Sequence, residues 1–201
     1  MDLMEIQGIW GPTAKWRKRK HYMPTEPVPF HGQMPQRGQY IGTYSPVGSA
    51  IVLAADTIYY VPILIPYPMT LDLLGVYITT IEAGKFVKIG IYPMNRGVIG
   101  DLIDSVDPIS LGVADLQTGS IQVALAAGAY MFAVLSNATG TGAVRKNSVL
   151  LPLLPDSSGV GSLVSNHYQE SLAYASGLPT SPGTLTITTA DSPRIITRRM
   201  A

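Results

Sequence analysis

Between Tyr40 and Thr197 apolar residues recur at every second position in short runs, and glycine or proline separates the runs. Period two sends alternate side chains to opposite faces of a strand, whereas an amphipathic helix needs a period near 3.6. Residues 85–92 (K-F-V-K-I-G-I-Y) set Val87, Ile89 and Ile91 against Lys88, Gly90 and Tyr92, the pattern of a strand with one buried face. Residues 119–125 align Ile121, Val123 and Leu125, and residues 129–135 (A-Y-M-F-A-V-L) follow after Ala126-Ala127-Gly128, which reads as a hairpin. Residues 57–65 are rich in Tyr, Val and Ile, and Leu74, Val76 and Ile78 alternate within residues 70–81. Residues 49–55, 143–154, 184–189 and 194–197 add further candidates, and 98–107 a weaker one. Residues 82–84 read as a hairpin turn and 93–97 as the next turn, while 111–116 reads as irregular. Residues 162–175 fit either a short helix or alternation. About eight to ten short strands without intervening amphipathic helices predict an all-β fold, an antiparallel, jelly-roll-like β-sandwich.

Charged residues form only 13% of the 201, against 46% hydrophobic, and the net charge is +1. A typical domain carries about a quarter charged residues. Two readings follow: a well-packed sandwich with a Thr, Ser and Gly surface, or a surface covered by other subunits. The 20 Gly and 16 Pro are scattered, as turns require and as collagen does not. Cysteine is absent, which excludes disulfides, thiolate zinc sites and a cysteine nucleophile. Residues 1–11 do not read as a signal peptide. The most apolar stretch, 59–69, is too short to cross a bilayer and is interrupted by Pro62, Pro66 and Pro68.

Residues 1–39 differ from the remainder, 40–201, which the alternation assigns to the β-domain. Pro12, Pro24, Pro27, Pro29 and Pro35 prevent a regular helix or central strand, so an extended arm is expected. The arm holds both tryptophans, Trp10 and Trp16, with Arg17, Lys18, Arg19 and Lys20 beside Trp16, and Tyr22 and Phe30 beyond. Aromatic residues and arginine are what interfaces use as anchors. These eight residues are therefore the candidate contacts of an arm that orders on a neighbouring protein. The alternatives are an arm packed onto its own domain, or a basic run from Lys15 to Lys20 bound to phosphates with Trp16 stacked on a base. The near-neutral chain favours the protein partner over nucleic acid.

Catalytic patterns are sparse. His21, His31 and His167 form no H-E-x-x-H or H-x-H cluster, and there is no phosphate-binding G-x-x-x-x-G-K-[ST] loop and no G-x-S-x-G elbow. Asp101, Asp104 and Asp107 could gather carboxylates, yet lack the glycine and final glutamate of a calcium loop, so they read as turn acids, with a structural calcium left open. Asn137-Ala138-Thr139 fits a glycosylation sequon. No catalytic residue, metal or cofactor is assigned, and the chain reads as a non-enzyme.

Three short motifs carry a resemblance: Tyr60-Val61-Pro62; Gly90-Ile91-Tyr92; and Leu125, Gly128 and Tyr130, with Met131 where a tryptophan often follows. Together they resemble a module of tailed-bacteriophage virion proteins: fibres, head spikes, decoration proteins and adaptors. In that module a strand ends in a Y-x-V-P-like turn. The resemblance covers the middle of the chain. It implies a jelly-roll-like structural component of a virion, homo-oligomeric and most often trimeric, attached to other virion proteins and without catalytic residues. Jelly rolls also bind sugars through aromatic platforms, so Tyr168 and Tyr174 are the candidate contacts of an alternative carbohydrate- or host-receptor-binding module.

Overall fold

The computed structural model describes residues 37–42, 49–147, 167–188 and 191–200. The first half holds strands β1 (Tyr40–Gly42), β2 (Ala50–Val52), β3 (Thr57–Ile65), β4 (Met69–Thr80), β5 (Phe86–Asn95), β6 (Val98–Ile99) and β7 (Asp104–Ser110). The second half holds β8 (Asp115–Leu125), β9 (Gly128–Ser136), β10 (Ala143–Asn147), β11 (His167–Ser171), β12 (Thr186–Thr188), β13 (Ser192–Pro193) and β14 (Ile195–Arg199). A single 3-10 turn, Tyr174–Ser176, is the one helical element among the described residues.

These strands form two antiparallel sheets, one of them curled into a half-barrel, so the chain is an antiparallel β-sandwich. In the first sheet β4 pairs with β8 along one edge and with β14 and then β10 along the other; β1 and β2 lie beyond. The second sheet runs β12-β11-β3-β9-β5, with β6 and β7 both on the far edge of β5. Val61, Ile63 and Ile65 of β3, Leu74, Val76 and Ile78 of β4, and Phe132 and Val134 of β9 meet between the sheets. The period-two pattern of the first sheet is thus realised as read, with Ile121, Val123 and Leu125 also facing inward.

Both expected hairpins are instead crossings between sheets. Residues 82–84 join β4 of the first sheet to β5 of the second, and residues 126–127 join β8 of the first to β9 of the second. Alternation fixes which side of a strand is apolar but not whether the next strand lies beside it or opposite it, because both placements bury the same face. The turn expected over 93–97 is confined to Arg96-Gly97: Pro93, Met94 and Asn95 still belong to β5 and pair with β9 or β6. Likewise β3 does not turn at Val61-Pro62 but continues to Ile65, paired with β9 throughout. Proline is tolerated at both places because no strand ladder on the other edge calls for its missing donor; at Pro93 that edge only receives the Gly100 N–H on the Pro93 carbonyl (2.8 Å). On β3, β11 has left after Tyr60, and on β5, Pro93 falls between the end of β7 and the start of β6.

The one-sided burial expected of β5 is also corrected. Tyr92 is fully buried, as are Tyr60, Met131, Ala133 and Leu135 on the same outer face of the second sheet. Residues 172–185 cross that face as a strap, setting Leu172, Tyr174, Leu178 and Leu185 upon it. The ambiguous stretch 162–175 resolves, within its described part, into β11 followed by the 3-10 turn that opens the strap. Burying each large side chain beneath it contributes roughly 1.5–3 kcal/mol.

Candidate functional site

The sandwich has two outer faces of different character. The strap closes the outer face of the second sheet with polar ties at both ends. Near its start the Tyr174 N–H donates to Asp56 Oδ1 (2.7 Å) and the Leu172 N–H to the Asp56 carbonyl (2.9 Å). Asp56 holds a left-handed backbone (φ 53°), which aspartate tolerates better than most residues. Further on, the Tyr92 hydroxyl donates to the Pro179 carbonyl (2.8 Å) and the Leu102 N–H to the Thr180 carbonyl (2.7 Å). Glu170 accepts from the Gly183 N–H (3.1 Å) and, on its other oxygen, from the Tyr60 hydroxyl (3.0 Å). Burial first, and then neighbouring Tyr92 and Glu170, hold the Tyr60 hydroxyl well above the usual phenol range.

The outer face of the first sheet has no such cover among the described residues. On β4, Val76 and Ile78 point inward, so Tyr77 points outward; the register places Arg198 opposite Leu73 and Tyr40 opposite Arg198. Arg198 grips Asp72 with two nitrogens, Nε to Oδ1 at 3.0 Å and Nη2 to Oδ2 at 2.8 Å. That hydrogen bonding holds the Asp72 carboxyl below its ordinary range and the Arg198 guanidinium above its own. The Tyr40 ring, half exposed at 51%, lies 5.9 Å from Arg198. Arg145 of β10 lies over the Tyr77 ring, 3.7 Å from its centroid, an interaction worth about 0.5–1 kcal/mol at an exposed site. No carboxylate among the described residues pairs with Arg145. Stacking fixes the plane of its guanidinium and leaves the in-plane N–H groups for a partner.

The eight arm residues, Trp10, Trp16, Arg17, Lys18, Arg19, Lys20, Tyr22 and Phe30, lie outside the described residues, as do His21 and His31. The domain side of the arm boundary begins slightly before β1: the Gly38 N–H donates to the Arg199 carbonyl (3.0 Å), and the Arg199 N–H to the Gln39 carbonyl (3.1 Å). Tyr168 and Tyr174 are both half-buried against the cluster under the strap, and Lys88 sits over the Tyr174 ring at 4.6 Å. Both tyrosines keep part of their surface exposed. Asp101, Asp104 and Asp107 are not brought together. Asp101 accepts from the Ser181 hydroxyl, Asp104 from the Ser105 N–H, and Asp107 pairs with Lys88 at 2.9 Å. Among the described residues no group of three potential metal ligands forms. His167 is buried beside Tyr59, ring centroids 5.7 Å apart, with Nε2 2.9 Å from the Gln169 side-chain nitrogen.

The Arg145–Tyr77 and Arg198–Asp72 pairs escaped the reading of the sequence. Parity signalled only Tyr77, which alternates with the inward Leu74, Val76 and Ile78; Asp72 shares their parity and faces outward because the register shifts between Leu71 and Leu73. The chain matches no protein-family model and no curated protein.

Proposed function

We propose that this chain is a non-enzymatic structural component of a larger assembly, a virion protein of the fibre, spike, decoration or adaptor kind. In this reading the arm, residues 1–39, attaches it to other particle proteins, and the β-sandwich associates with copies of itself, as a trimer. One observation supports the reading most. The sandwich seals one outer face with its own strap, while the other presents tyrosines and arginines already fixed in place by stacking and ion pairing. Tyrosine and arginine are enriched where interfaces gain most of their affinity, and prior ordering of their side chains lowers the entropy lost on docking. Of the three motifs that resemble tailed-phage virion modules, Gly90-Ile91-Tyr92 lies within a strand as that resemblance implies, whereas Val61-Pro62 ends no strand and Leu125–Tyr130 crosses between sheets.

The test is the solution mass of the full-length chain by light scattering during size exclusion, beside Tyr77→Ala and Arg145→Ala. A trimer that dissociates in both variants supports the reading; a monomer at every concentration refutes self-association. For the arm, removal of residues 1–33 leaves the hydrogen bonds of Gly38 and Gln39 intact. The expected result is a folded domain that no longer joins the particle.

A second reading, a carbohydrate- or host-receptor-binding module, is favoured by a groove of about 520 Å³ beside β11. Thr57, Gln169, Glu170, Ser171, Thr184 and Thr186 line it, and all six carry side-chain hydrogen-bonding groups. Saturable glycan binding that Gln169→Ala abolishes would establish it.

A further inference from the structure

The groove of about 520 Å³ beside β11 carries a single charged side chain. Thr57, Gln169, Ser171, Thr184 and Thr186 line it with neutral hydrogen-bonding groups, Glu170 is its one acid, and no lysine or arginine lines it. The ion pairs among the described residues are Lys88–Asp107, Lys146–Asp191 and Arg198–Asp72, so Glu170 has no cationic partner among them. Its carboxylate is held instead by two neutral donors, the Gly183 N–H on Oε1 at 3.1 Å and the Tyr60 hydroxyl on Oε2 at 3.0 Å. These donors fix the position of the group and leave its charge in place. A carboxylate offers about four acceptor sites, so about two remain for a ligand.

A neutral ligand seated in this groove would take an uncompensated charge out of water, at a cost in free energy. A ligand with an ammonium brings the compensating charge and gains a charge-assisted hydrogen bond. A bare alkylamine would supply that charge but leave the hydroxyl and amide lining without partners. A sugar ring supplies those partners, because each of its hydroxyls both donates and accepts, as do the side chains around Glu170. We propose that the groove binds an amino sugar in its protonated form, the ammonium on Glu170 and the ring hydroxyls on Gln169, Ser171, Thr184 and Thr186. This rests on the carbohydrate reading of the groove and adds to it the charge that the sugar carries.

The full-length protein is titrated with glucosamine, glucose, N-acetylglucosamine and butylamine while backbone amide resonances are followed, in slightly acid solution where the sugar amine keeps its proton. The expected result for glucosamine is saturable shifts at Glu170, Ser171 and Thr184. Its affinity exceeds that of glucose and N-acetylglucosamine by about tenfold, because they present a similar ring without the positive charge. It exceeds that of butylamine by about tenfold, because butylamine brings the charge without the hydroxyls. Added salt weakens the binding of glucosamine and not that of glucose. Glu170→Gln lowers glucosamine to the affinity of glucose. Thr184 is exposed and outside the strands, so Thr184→Ala keeps the fold even if the change at Glu170 loosens the strap, and it weakens glucosamine and glucose alike. Glucose bound as tightly as glucosamine overturns the proposal and leaves the carbohydrate reading standing. Butylamine bound as tightly overturns it too, and saturable binding of no sugar overturns both.

Discussion

Replacing Gly119 with alanine tests where the sandwich closes. Gly119 lies on β8 of the first sheet and Val106 on β7 of the second, where the two strands come together. A Cβ on Gly119 would overlap Val106 Cγ1 and stand 3.0 Å from Val106 Cβ, close to a backbone that cannot swing aside as a long side chain can. Overpacking of this kind costs about 1–3 kcal/mol, while the lower unfolded-state entropy of alanine returns about 0.5–1 kcal/mol. The net expectation for Gly119→Ala is a loss of about 1–2 kcal/mol. Val106→Ala removes two buried methyl groups at about 0.8 kcal/mol each and leaves a small cavity, about 2 kcal/mol in all. Independent effects would sum to about 3–4 kcal/mol. In the double variant, however, the new methyl occupies the space that Val106 vacates, so the expected loss is only about 1–2 kcal/mol. The assay is urea unfolding of the four proteins, with Tm as a check at roughly 2–4 °C per kcal/mol for a domain of this size. A double variant whose loss equals the sum of the singles within about 0.5 kcal/mol would refute the packing of β7 against β8.

Two further perturbations probe the loops. Glu82 accepts from the Thr139 N–H (2.9 Å), the Thr139 hydroxyl and the Gly142 N–H (2.6 Å), which hold its carboxyl at about 2, against 4.5 ordinarily. Because the folded value is depressed, the stabilisation is complete above the unfolded value and is lost as pH falls from about 4.5 towards 2. Amide exchange at Thr139 and Gly142 should accelerate across that window, after correction for intrinsic rates, and Glu82→Gln should remove the pH dependence. Gly90 lies under the strap, where a Cβ would come within 2.8 Å of Leu102 Cδ1 and Leu178 Cδ1. Those are flexible chain ends, so Gly90→Ala should cost less than Gly119→Ala, about 0.5–1.5 kcal/mol, and should raise proteolysis within residues 172–185 before it lowers global stability.

The parts of the fold legible in the sequence are those that depend on neighbours along the chain. Residues 57–65 form one strand because Tyr, Val and Ile fill them, and Leu74, Val76 and Ile78 face one side because a strand has period two. Chain-local chemistry likewise sets the turn at Arg96-Gly97, where both residues take positive φ. The candidate site was less legible. Parity sends Tyr77 outward, but Asp72 shares the parity of the inward Leu74, Val76 and Ile78 and faces out only because the register shifts between Leu71 and Leu73; nothing local announces that shift, that Arg145 lies over Tyr77, or that Arg198 grips Asp72 across 126 residues.

Tertiary structure alone decided the rest, and in each case the reason is that burial is blind to which partner supplies it. Residues 126–127 carry the same alternation on either side whether β8 and β9 pair or face each other. Tyr92 occupies a position that reads as solvent-facing until a strap more than 80 residues later covers it and the Pro179 carbonyl accepts from its hydroxyl. The resemblance ends a strand at Val61-Pro62, and Pro93 opens the turn expected over 93–97. Both prolines lie within strands because, at those two steps, the neighbouring strands happen to be absent on one edge and no donor is required.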